Sequence, residues 1–202
     1  MKPRLFSIFA LTFFLQSAYI SNAQYAFWGF KAGYQANKIS GLPFDTKMSS
    51  GFNVGVFGNF ILSDKWAIQH EAQYSRKGFS GTTLDSFDVK GSLPYFELPW
   101  MLQYNINKVF YIHAGVQPSL YLYLKKAQRD STEFSKYNVN PIDFSGLLGV
   151  GAITNNNFLF GARVNISLNQ TFNTTEFGGR NISLQAYIAY SVNRKVRKKK
   201  KK

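Results

Sequence analysis

The stretch Phe96-Glu97-Leu98-Pro99-Trp100-Met101-Leu102-Gln103-Tyr104-Asn105 changes character at every step. Phe96, Leu98, Trp100, Leu102 and Tyr104 fall on one side and Glu97, Pro99, Met101, Gln103 and Asn105 on the other, which is the period of a β-strand with two unlike faces. The apolar side begins and ends on an aromatic residue. A strand of about ten residues of this kind has the length of one tilted crossing of a bilayer.

Seven further segments repeat the pattern. The first sets Trp28, Phe30, Ala32, Tyr34 and Ala36 against Gly29, Lys31, Gly33, Gln35 and Asn37. The second opposes Phe52, Val54, Val56 and Phe60 to Asn53, Gly55, Phe57 and Asn59, and the third opposes Trp66, Ile68, Ala72 and Tyr74 to Gln69, Glu71, Gln73 and Ser75. After the stretch quoted above, the fifth runs over Phe110–Leu122, the sixth over Phe144–Ala152, the seventh over Phe160–Leu168 and the eighth over Ile182–Val192. Only Leu147 interrupts the polar set of the sixth.

The connections alternate in length. Ser63-Asp64-Lys65, Asn107-Lys108 and Asn155-Asn156-Asn157 are short and rich in turn formers. Long connections are expected at about Ile39–Ser50, Gly78–Leu93, Lys125–Pro141 and Asn169–Arg180. Short periplasmic turns facing long external loops are the outer-membrane pattern, which puts both termini in the periplasm. One interface would then carry Trp28, Phe60, Trp66, Tyr104, Phe110, Phe158 and Tyr190, and the other Tyr34, Phe52, Tyr74, Phe96 and Phe144. Two aromatic girdles result from an alternation assigned without them.

The first residues agree with this compartment. Met1–Arg4 make a basic start, Leu5–Leu15 an apolar run too short to span, and Ser21-Asn22-Ala23 a small-residue cleavage site, so residues 1–23 read as a signal peptide and Gln24 as the mature start. A short membrane anchor would need a stop-transfer pattern, and none follows. Residues 24–193 suit one domain, and 194–202 form a basic tail. The chain has no cysteine, which excludes a disulfide framework and a thiolate nucleophile.

The net charge of +14 suggests nucleic acid until it is located. Arg194, Lys195, Arg197 and Lys198 to Lys202 hold eight of the charges and Lys2 and Arg4 two more, leaving +4 for the rest. A terminal run of one sign is ordinarily a solvated tail, and an exported protein meets no nucleic acid. A soluble lipocalin-type barrel is the structural rival. Its exterior would carry charge at about a quarter to a third of positions, whereas the polar faces here are mainly Gly, Ser, Asn, Gln and Tyr.

Six charges remain on those polar faces: Lys31, Lys77 and Arg163 against Glu71, Glu97 and Asp143. They balance, and an eight-stranded barrel has an interior that side chains nearly fill, so they read as a packed lumen network. Glu71 and Arg163 each lie about six residues beyond a short turn, at a common depth for a rise of ~3.3 Å per residue. His113 faces inward and His70 outward, and neither has the companions of a metal site. Ser80, Asp85 and Asp88 reach the outer rim without a histidine, so no hydrolytic triad is assembled. Asn165, Asn169, Asn173 and Asn181 stand in N-x-S/T contexts of a kind frequent by chance. Pro99 and Pro118 fall inside strands, where a bulge or local distortion is expected.

The segments Tyr95-Phe96-Glu97-Leu98-Pro99, Gln69-His70-Glu71, Tyr74-Ser75-Arg76-Lys77-Gly78, Gly29-Phe30-Lys31-Ala32-Gly33, Gly51-Phe52-Asn53-Val54-Gly55-Val56-Phe57 and Leu62-Ser63-Asp64-Lys65-Trp66 resemble the PorT-like outer-membrane β-barrel family of Bacteroidota. The chain departs from that family in having Gly115-Val116-Gln117-Pro118 where members commonly carry Gly-Pro-Gln, and in ending on basic rather than aromatic residues. The resemblance implies an eight-stranded, porin-like barrel without enzymatic activity, and its namesake takes part in protein secretion. The expectation is therefore an all-β fold, an eight-stranded antiparallel up-and-down transmembrane barrel of the outer membrane. Its partners would be outer-membrane lipids and, through the long loops, envelope or secretion-complex proteins, with no cofactor. A narrow diffusion channel is the alternative.

Overall fold

The computed structural model describes residues 25–41, 45–82, 88–122, 139–171 and 179–194. The expected signal peptide, the basic run after Arg194, Asp85 and Asn173 lie outside them. The elements in chain order are β1 (Tyr25–Ser40), β2 (Asp45–Lys47), β3 (Ser49–Ile61), β4 (Trp66–Thr82), β5 (Asp88–Glu97), β6 (Trp100–Asn105), β7 (Phe110–Tyr121), β8 (Ile142–Ile153), β9 (Phe158–Ser167) and β10 (Arg180–Ser191). Among the described residues no helix is long and apolar enough to cross a membrane.

Every principal neighbour pair is antiparallel, and the ladder closes: β1, β3, β4, then β5 with β6, then β7, β8, β9 and β10 lead back to β1. Since β5 and β6 are two halves of one strand, the barrel has the eight strands expected. Closure is what hydrocarbon demands, because an open edge would leave N–H and C=O groups without partners. Gly29↔Ser191 through Ser40↔Arg180 form the closing seam. It is reinforced where Asn193 accepts from the backbone N–H of Trp28 at 2.9 Å and its carbonyl accepts from the Tyr25 hydroxyl.

Alternation decides which side chains meet lipid. Trp28, Tyr34, Phe52, Trp66, Phe96, Phe110, Phe144, Phe158 and Tyr190 are exposed on the outside, with Phe60, Tyr74 and Tyr104 half-buried among them. Several girdle rings touch across strands, as Trp66 does Tyr104 at 4.9 Å and Phe158 does Tyr190 at 5.1 Å. Such pairs contribute about 0.5–1.5 kcal/mol beyond their burial. Leu147, which interrupted the sequence pattern, is buried inside.

At one end the turns span residues 62–65, 106–109 and 154–157. Asn107 holds one of them, its Oδ1 accepting from the N–H groups of Val109 and Phe110, and Asn157 supplies the left-handed φ of 66° that another requires. At the opposite end the strands run further than expected. Most of Ile39–Ser50 is strand, and Gly78–Leu93 is largely a hairpin pairing Gly78 with Ser92 and Thr82 with Asp88. Its Ser, Gly and Thr residues read as loop, yet pairing beyond the lipid needs a neighbouring backbone and no apolar face. Here β2 and β3 form one strand with a bulge. Lys47 opposes Ser80 and Phe52 opposes Arg76, so residues 48–51 face only 77–79.

At the prolines the expected local distortion is present and the expected bulge is not. Neither introduces a bulge: His70↔Trp100 and Gln73↔Glu97 share one register, as do Trp100↔Val116 and Glu97↔Ser119. The Glu71 N–H still donates to the Pro99 carbonyl and the Leu98 N–H to the Pro118 carbonyl, both at 2.9 Å. What is lost is the reciprocal donor in each pair. Both losses fall on the Leu98–Pro99 step, which is why β5 and β6 are separated there.

Candidate functional site

Inside the barrel, three levels succeed one another from the short-turn end. The floor is apolar: Phe27, Phe57, Leu159 and Ala189 pack together with Tyr25, Ile61 and Ile153 against them. Phe27 meets Phe57 edge to face at 6.1 Å. Arg194, assigned from the sequence to the tail, is instead part of this floor. Its guanidinium lies 5.9 Å from the Phe27 ring and donates to the Thr154 carbonyl at 2.8 Å.

The middle level is built on Arg163, whose side chain is 1 % exposed. Nε donates to Gln185 Oε1 at 2.7 Å, one terminal nitrogen to Glu71 Oε2 at 2.9 Å and the other to Gln73 Oε1 at 3.3 Å. Lys31 Nζ reaches the same Glu71 oxygen at 2.7 Å and stands 4.1 Å above the Tyr187 ring. Gln69 donates to the other Glu71 oxygen at 2.8 Å. Below them Tyr111 and Tyr187 join hydroxyls at 3.1 Å. These rings fit because β8 and β9 offer no side chain opposite: a Cβ on Gly151 would strike Tyr111 and one on Gly161 would strike Tyr187.

The third level has the opposite balance. Lys77 Nζ contacts Glu97 at 2.9 Å and Asp143 at 3.8 Å, and lies 4.7 Å from the Tyr95 ring. Ser167 donates to Asp143 at 2.9 Å. All six sequence-derived charges are thus brought into the lumen, as two clusters of three: two cations with one anion, then one cation with two. Gln73 joins them, accepting from Arg163 and donating to Glu97 at 2.5 Å. A second amide chain runs from Arg163 through Gln185 and Gln35 to Ser75. A search restricted to charged residues passes over these glutamines. Their signal was present as Gln35, Gln73 and Gln185 at inward positions of the alternation.

His113 is buried in the lumen, while His70 packs between Phe60 and Trp100 on the lipid side. Among the described residues no group of three or more His, Cys, Asp or Glu could hold a metal ion.

A closed antiparallel barrel with an apolar belt, aromatic girdles and a polar interior defines a small outer-membrane β-barrel protein. The outer membrane protein beta-barrel domain family matches residues 14–173, and the chain belongs to it. Among solved structures, Neisserial surface protein A is 17% identical with a TM-score of 0.54, covering 83% of this chain and 99% of its own. OprG from Pseudomonas aeruginosa is 14% identical with a TM-score of 0.50, covering 87% and 99%. These likenesses establish the fold. No curated protein matches the chain.

Proposed function

We propose that this protein is a closed envelope barrel whose lumen serves as a rigid plug and whose work is done on its outer face and its external connections. The three stacked levels carry this reading: each has side chains at 4 % exposure or less, from Phe27 and Phe57 through Glu71 and Arg163 to Lys77 and Glu97. Retention of the charges needs no transport role, because removing one member of a buried pair would leave an uncompensated charge costing about 3–5 kcal/mol. The long-connection end faces outward and both termini lie in the periplasm, after export and cleavage behind Ala23. The resemblance to PorT-like barrels favours an accessory role in an envelope assembly; a part in protein secretion, as for the family namesake, is an alternative. Purified protein in planar bilayers should give no large, steady conductance. A stable channel that changes on Arg163→Gln would establish the diffusion-channel alternative instead.

A further inference from the structure

The lipid face carries a group of cations that neither the lumen nor the girdles account for. Lys38 on β1, Arg76 on β4 and Arg180 on β10 all point outward and are exposed, as is Lys47 on β2. Three of them stand ten residues from an aromatic of the opposite girdle: Trp28 to Lys38, Trp66 to Arg76 and Tyr190 to Arg180. At ~3.3 Å per residue and the usual barrel tilt, ten residues rise about 25 Å, the height of the apolar belt. The cations therefore sit where hydrocarbon gives way to headgroups. Every outward-facing charged side chain described at this rim is basic.

Arg76 in addition lines an open hollow of the surface. Its Nε donates to Ser92 Oγ at 2.6 Å, which fixes the guanidinium plane. Among the described residues no carboxylate pairs with it, and none accepts from its two terminal nitrogens. Tyr34, Phe52 and Arg76 follow one another across β1, β3 and β4 in a single ladder row, and Ser50, Gly78 and Ser92 lie beyond them. Together they line a hollow of about 400 Å³. The bulge at residues 48–51 shapes its upper wall, and Gly78 leaves room that a Cβ would lose against Ser50 and Ser49. The hollow thus offers a forked cation and hydroxyls at headgroup level, beside the rings of Tyr34 and Phe52.

We infer that this recess binds a phosphate of a phosphorylated glycolipid in the outer leaflet, with Lys38 and Arg180 holding neighbouring phosphates on the same side of the barrel. A guanidinium already tied through Nε presents its remaining donors to phosphate oxygens. The two rings below accept acyl chain or sugar. The leaflet rests on the orientation proposed above.

The test uses the folded full chain in phosphatidylcholine nanodiscs, titrated with fluorescent bis-phosphorylated lipid A. Binding should weaken about fivefold on Arg76→Gln, the weight of one basic side chain at a charged lipid surface. It should weaken further in Lys38→Gln/Arg180→Gln and be only partly kept in Arg76→Lys, which retains the charge but neither the fork nor the tether to Ser92. Enzymatically dephosphorylated lipid A should bind wild type no better than it binds the Arg76→Gln variant. Heat-modifiable electrophoretic mobility confirms folding; if Arg76→Gln fails that check, the dephosphorylated probe and Ser92→Ala decide alone. Equal affinity with and without phosphates would overturn the site. So would displacement by millimolar inorganic phosphate or equal, Arg76-dependent binding of phosphatidylglycerol, which would assign a free-anion or inner-leaflet ligand. Arg76-dependent binding combined with inverted topology on cells would leave the phosphate site standing and overturn its outer-leaflet occupant.

Discussion

Arg163 on β9 and Glu71 on β4 meet across the barrel interior at 2.9 Å, 92 positions apart in sequence. Their contact is not exclusive, since the same Glu71 oxygen holds Lys31. The asymmetry makes the two residues unequal. Glu71→Gln strips the partner from two buried cations and should cost about 3–5 kcal/mol, whereas Arg163→Gln should cost less because Lys31 still compensates Glu71. The double variant should lose less than the two single losses added together. Urea unfolding in lipid vesicles measures the cycle, and strict additivity would mean that the pair is not coupled.

Gly151→Ala places a methyl group against Tyr111, a ring fixed from its other side by Tyr187. Overpacking of this kind costs roughly 1–3 kcal/mol. The expected outcome is a lower unfolding midpoint, recovered in part by Tyr111→Leu in the same chain. An unchanged midpoint would show that Tyr111 can move aside.

Because the floor and the two charged levels block the same path in series, opening one should leave the barrel closed. Phe57→Ala should remain non-conducting in planar bilayers even though it hollows the floor. Steady current from that variant alone would mean that the polar levels admit ions.

An even number of crossings returns the chain to the side where it started. An epitope after Lys202 should stay hidden from antibody on intact cells and become accessible when the outer membrane is permeabilised. Surface labelling of intact cells would reverse the orientation and move the 400 Å³ recess to the periplasmic leaflet.

Most of the transmembrane part could be read from residue order, because period two assigns each side chain to lipid or lumen without knowledge of its neighbours. The depth shared by Glu71 and Arg163 needed only a count from the two short turns. The floor was harder to see. Phe27, Phe57 and Leu159 are inward residues, but large apolar side chains at those positions look like lapses in the pattern until the curvature of the barrel brings them together. The extended hairpin after Arg76 escaped for a different reason: outside lipid, strands carry no amphipathic signature. The prolines misled through their neighbours. Taken alone each suggests a distortion of its own strand, whereas in the ladder both missing donors fall on the Leu98–Pro99 step.

The seam between β1 and β10 joins the beginning of the folded chain to its end, with Trp28 bonded to a residue 165 positions later. No shorter portion of the polypeptide can therefore form a closed ladder. Folding carries the loop-closure entropy of nearly the whole chain before its final pairing is gained, and contacts so remote in sequence make for slow folding. Until synthesis and export are finished, β1 has no partner on one side. The unfinished chain exposes a strand edge that could join a neighbouring copy, so its passage to the membrane calls for an escort that masks that edge and lets it go only at the bilayer.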